Sequence, residues 1–85
     1  MPLYFFNTHI DGDVIPDQDG MELRDAVQAL EVARDTVQAM MQDPTNQITL
    51  LAAALVVTKE AGGVVGEFPF ADAFKLLPRA AGSER

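Results

Sequence analysis

Apolar residues recur at three- and four-residue steps between Leu23 and Met41: Leu23, Ala26, Val27, Leu30, Ala33, Val37, Met40 and Met41. Arg24, Gln28, Glu31, Asp35, Gln38 and Gln42 occupy the other side. This spacing predicts an amphipathic helix with one apolar stripe. Asp25 is placed to cap its start, with Gln28 three residues on as the capping-box partner. Glu22 and Asp25 also suit the positive end of the helix dipole. Pro44 stops the helix near Asp43, because the residue before a proline is pushed out of the helical region. The rod is about 25 Å long at 1.5 Å per residue. Its stripe requires a second apolar face to cover it.

The flanking segments supply strands. Leu3–Ile10 is rich in aromatic and β-branched residues and reads as a first strand. Tyr4, Phe6, Thr8 and Ile10 share one face; Leu3, Phe5, Asn7 and His9 share the other. Asp11-Gly12 supplies a tight hairpin turn, and Asp13–Ile15 returns as a second strand ended by Pro16. Asp17–Gly20 is a loop of turn-forming residues. Pro44–Gln47 reads as a polar loop. Ile48–Thr58 reads as a third strand, most securely over Ala54–Thr58, because the alanines at 52–54 are weak strand formers. Lys59–Gly63 is a second hairpin turn and Val64–Phe68 a fourth strand. Ala71–Leu77 is a short terminal helix that packs Phe70, Phe74 and Leu77 onto the sheet. Pro78 breaks it, and residues 79–85 form a loose tail. The expected fold is α+β: two antiparallel hairpins flank one helix (ββαββ, with a short C-terminal helix) in two layers. It forms a single domain over residues 1–78.

Size and charge limit what such a domain does. At 85 residues and without cysteine, the chain has neither disulfides nor thiolate metal sites to support a small core. Hydrophobic content of 48% is that of a folded chain. The formal net charge is −7, and residues 1–25 hold six acids against one arginine. Such a surface repels polyanions, so neither nucleic acid nor anionic lipid is an expected partner. The opening residues lack the basic and long apolar regions of an export signal, and Leu50–Val57 is too short to span a bilayer; a cytoplasmic location is expected.

Several of these elements resemble a known family in their order. They are Tyr4-Phe5-Phe6, Asp11-Gly12, Ile15-Pro16-Asp17, and Gly20-Met21-Glu22-Leu23 ahead of an alanine-rich helix. They resemble a family of short bacterial proteins designated domain of unknown function 6894. The Lys59–Gly63 turn and the Val64–Phe70 strand fit its second half. The resemblance covers residues 2–74 and implies no activity, cofactor or catalytic residue.

The acidic N-terminal segment holds the only candidates for metal chemistry: His9, Asp11, Asp13, Asp17 and Asp19. Along an extended strand His9, Asp11 and Asp13 point the same way, and oxygen-rich clusters with one imidazole bind hard divalent cations. A calcium-loop template with its glycine at Gly20 puts Ile15 and Ala26 at two key ligand positions, so that template fails. Turn formation and helix capping explain the same aspartates more simply. No metal or other cofactor is therefore expected. Catalysis is not expected either. The chain has one histidine, and its only serine is Ser83. Thr8 lies on the strand face opposite His9, so no nucleophile–base pair is apparent. Gly62–Gly66 lacks the lysine and following helix of a phosphate loop.

Apolar residues are the better lead. Met40, Met41, Leu50, Leu51, Leu55 and Val57 exceed what one helix face and one sheet face visibly bury, and methionine suits adaptable contacts. They either fill the domain's own core or form an interface. The expected function is a non-enzymatic protein-interaction module, with a homodimer as one form. Alternatives are an antitoxin-like or regulatory acidic partner of a basic protein, and a divalent-metal-binding domain through the acidic loop.

Overall fold

The computed structural model describes residues 1–76. Strand β1 spans Leu3–Ile10 and turns into β2, Asp13–Ile15. Asp11 and Gly12 both have positive φ, 53° and 81°. Two such residues in succession give the turn whose twist matches the strands it joins. The register sets Thr8 opposite Ile15, His9 opposite Val14 and Ile10 opposite Asp13. A further strand, β3, Met21–Glu22, also pairs with β1, with Tyr4 opposite Met21 and Leu3 opposite Glu22. Two short strands thus share one edge of β1, and residues 16–20 span the gap between them.

Helix α1 spans Ala26–Met40. Asp25 caps it as the sequence predicts, its Oδ1 accepting the Gln28 N–H at 2.9 Å; Gln28 Oε1 reaches one residue beyond the capping-box position and accepts the Arg24 N–H at 2.6 Å. Ala29, Ala33, Val37 and Met41 form the buried stripe, each at 1% exposure or less. Val27, expected on that stripe, is 62% exposed. At 100° per residue it sits roughly 100° round the helix from the line of Ala33 and Val37.

Pro44 acts differently from the expectation. It does not merely stop one helix; it opens another, α2, Pro44–Thr49. Proline suits the first helical position because its missing N–H has no partner there anyway. Asp43 caps α2 by accepting the Thr45 N–H at 2.9 Å. Side chains from α2 reach back to the end of α1: Asn46 Nδ2 donates to the Met40 carbonyl and Gln47 Nε2 to the Met41 carbonyl, at 2.9 and 2.8 Å. These bonds satisfy carbonyls that the end of a helix leaves open. The polar loop at 44–47 and the strand start at Ile48 are therefore both corrected to helix.

Strand β4 is Ala54–Lys59 and β5 is Val64–Pro69. Their turn closes through Lys59 N–H to the Gly63 carbonyl at 2.8 Å. The sheet is antiparallel and five-stranded, in the order β2-β1-β4-β5 with β3 beside β2 on β1. A bulge interrupts the β4–β5 register at Val57/Thr58. Helix α1 packs chiefly on β4 and β5. Glycine at position 66 allows the close approach, since a Cβ there would lie 2.6 Å from Leu30 Cδ2.

The chain then forms a 3₁₀ turn, Phe70–Asp72, and a short helix α3, Ala73–Leu76. Phe70 and Ala73 are fully buried, whereas Phe74 is 45% exposed, so Ala73 takes the packing role expected of Phe74. Leu77, Pro78 and the expected tail at 79–85 lie outside the described residues. The fold is α+β with one main helix. The expected ββαββ order gains a short strand before that helix and a short helix after it.

Candidate functional site

Three features of the N-terminal half bear on function: a clamp, a set of acids and an exposed apolar edge. The clamp joins Asn7 and Asp17. Phe6 lies on β1 between the stretches paired with β2 and β3, where its N–H has no strand partner. Asp17 Oδ2 accepts that N–H at 3.1 Å. Asp17 Oδ1 accepts the N–H groups of Asp19 and Gly20, both at 3.2 Å. The Asp17 N–H donates to Asn7 Oδ1 at 3.0 Å. Asn7 Nδ2 in turn donates to the Val56 carbonyl and to Thr58 Oγ1, both at 3.2 Å. One aspartate thus bridges the gap in the sheet edge, and one asparagine ties it to β4.

This geometry sets the Asp17 charge. Burial alone would push its carboxyl up, but the N–H groups of Phe6, Gly20 and Asp19 together outweigh burial and hold it below the usual aspartate value. Asp17 is therefore a fixed anion engaged with its own backbone. Gly20 completes the loop with φ 73° and lies so close to β1 that a Cβ would stand 2.9 Å from Phe5 Cε1.

The other acids are not gathered. The expectation that His9, Asp11 and Asp13 align along one extended strand is corrected by the hairpin: the chain reverses at Asp11-Gly12 and sets Asp13 opposite Ile10, not His9. His9, Asp11, Asp13 and Asp19 are exposed. Among the described residues no three His, Asp or Glu side chains are grouped closely enough to hold a metal ion, and no pocket is enclosed.

The apolar surface lies elsewhere than the sequence indicates. Met41, Leu50, Leu55 and Val57 are buried at 8% exposure or less, and Met40 packs against that core. Only Leu51 of the six candidates is exposed. The physical reason is the α1–α2 corner, which folds Leu50 inward and leaves β4 as a central strand. Exposed apolar groups appear instead on the short strands: Val14 at 53%, Ile15 at 59% and Met21 at 45%. Val14 and Ile15 are adjacent, so they present apolar groups on both faces of the same edge. The sequence marks Asp13–Ile15 as a strand, but three residues show no alternation that would reveal Val14 and Ile15 as exposed. Outside this edge, Val27, Ile48, Val64 and Phe74 are also exposed.

No helix among the described residues is long and apolar enough to cross a membrane. No curated protein and no solved structure matches the chain. The family described as Domain of unknown function (DUF6894) matches residues 3–71, which include the hairpin, the Asp17 loop, helices α1 and α2 and the β4–β5 pair. The chain belongs to that family.

Proposed function

We propose that this protein is a small non-enzymatic interaction module that meets another protein chain through the β2–β3 edge. The observation that carries the reading is the exposure of Val14, Ile15 and Met21 beside a hydrogen-bonded loop. Apolar side chains on a preordered edge gain burial at little conformational cost when a partner covers them. The chemistry of the chain supports the non-enzymatic part: its one histidine is exposed, and it contains no cysteine. A homodimer is one form of the proposal. Association with a basic protein is the other, favoured by the acids that surround the edge.

The test is purification of the tagged chain from its native host, with and without Ile15→Glu and Met21→Glu together. The expected result is a stoichiometric protein, either a second copy or another chain, that accompanies the parent chain and is lost from the variant. Both positions are exposed, so the two changes together should cost no more than about 1 kcal/mol and shift the thermal midpoint by no more than roughly 4–8 °C. A chain that purifies alone and sediments as a monomer at high micromolar concentration overturns the proposal.

A further inference from the structure

The register of the short strands defines a strip on the helix side of the sheet. Tyr4 belongs to the core beneath α1, and Phe6 and Ile10 pack against it. Met21 stands opposite Tyr4, and Ile15 opposite Thr8. Cross-strand partners share a face, so Met21 and Ile15 extend the same surface outward. Helix α1 packs chiefly on β4 and β5, and so leaves this side of the sheet less covered. Phe6 and Ile10 are partly buried, while Ile15 is 59% and Met21 45% exposed. From Tyr4 to Ile10 the strip is about 20 Å long at 3.4 Å per residue. A helix of about fourteen residues covers that length at 1.5 Å per residue.

Strand addition is poorly served by this edge. Strand β2 has three residues and β3 two, and Pro16 after β2 has no N–H to offer. A partner would find little continuous ladder but several apolar side chains on one face. Its rim toward the hairpin is anionic: Asp13 stands opposite Ile10, Asp11 forms the turn, and Asp17 and Asp19 lie in the loop, whereas Glu22, opposite Leu3, lies on the other face. The nearest cation in sequence, Arg24, stands 3.6 Å from Asp25. A second copy would bring the same acids and a net charge of −7 against this rim. Opposite potentials favour association, and like potentials oppose it.

We infer that the Phe6–Ile10–Ile15–Met21 strip receives an amphipathic helix of about fourteen residues from a basic partner protein, with apolar anchors one and two turns apart and lysine or arginine at their flanks. The inference rests on the reading of the chain as an interaction module and names the partner of that same edge.

The test uses two synthetic 18-residue amphipathic helices with identical leucine anchors, one flanked by lysines and one by glutamates. Binding to the intact protein is followed by amide chemical shifts and by titration calorimetry. The lysine peptide should shift residues 4–10 and 13–22. It should bind at least about tenfold more tightly than the glutamate peptide, and about tenfold less tightly when salt rises from 0.05 to 0.5 M. Ile15→Glu with Met21→Glu should abolish binding. Asp13→Lys with Asp19→Lys, both at exposed positions, should reverse the preference between the peptides. Three results overturn the inference: no shift at millimolar lysine peptide, equal binding of both peptides, or shifts confined to other residues. A homodimer whose contact covers Ile15 and Met21 also overturns it, while leaving the interaction module standing. A chain that neither binds peptide nor accompanies any protein from its host removes both.

Discussion

Asp17 and Asn7 hold each other across ten positions of sequence: the Asp17 N–H donates to Asn7 Oδ1 at 3.0 Å, while the Asp17 carboxylate accepts the N–H of Phe6, the residue before Asn7. The loop between β2 and β3 is therefore part of the sheet edge, and its shape fixes where Ile15 and Met21 emerge.

Loss of the Asp17 charge should destabilise the fold in a pH-dependent way. Asp17→Asn keeps the side chain's size but weakens three charge-assisted bonds, and should cost about 2 kcal/mol at pH 7. The folded carboxyl titrates below its ordinary value. Its contribution is thus complete above the unfolded value, near pH ~4, and is lost as pH falls through the lower folded one. Urea midpoints of both proteins should converge as pH drops through that window. A gap of constant size would contradict the assignment.

Gly20 and Gly63 should respond unequally to alanine. Gly20→Ala places a Cβ 2.9 Å from Phe5 Cε1 at φ 73°, and should destabilise by about 1–3 kcal/mol. At Gly63 the nearest atom is Lys59 Cε at 3.9 Å, so Gly63→Ala should change stability by less than about 0.5 kcal/mol. Thermal melts of the two variants measure this contrast.

The two terminal phenylalanines divide in the same manner. Phe70→Ala empties a fully buried position and should cost about 3–5 kcal/mol, a large share of a small domain's stability. Phe74→Ala should cost less than about 1.5 kcal/mol, because that ring is 45% exposed. Chemical denaturation would expose an error if Phe74 proved the costlier loss.

Removal of the Asp25 cap should fray the start of α1. Asp25→Ala leaves the Gln28 N–H without its 2.9 Å partner and should cost about 1 kcal/mol. Faster amide exchange should be confined to residues 26–29. Exchange that quickens evenly along α1 would argue against a local cap.

The sequence made the main elements legible wherever a repeat of two or four residues ran long enough. The α1 stripe, the β1 alternation and the Asp11-Gly12 turn are of this kind. Legibility failed where one residue type serves two purposes. Pro44 reads equally as the end of a helix and as the first residue of the next, and only the Asp43 cap and the Asn46 and Gln47 bonds decide it. Strand β3 has two residues and exists because β1 offers it a partner, which is a tertiary fact. The candidate surface failed similarly. Leu55 and Val57 look like surplus apolar area until β4 is known to lie between β1 and β5. Asp17 was visible as a turn residue, but its bond to Phe6 depends on the gap between two strands.

Photo-crosslinking in the native host tests the interaction edge most directly. A photoreactive residue is placed at position 15 in one protein and at Arg34, an exposed position on α1, in another. Position 15 should give a discrete protein adduct that position 34 does not. Equal adducts from both positions, or none from position 15, would contradict a docking edge at β2–β3.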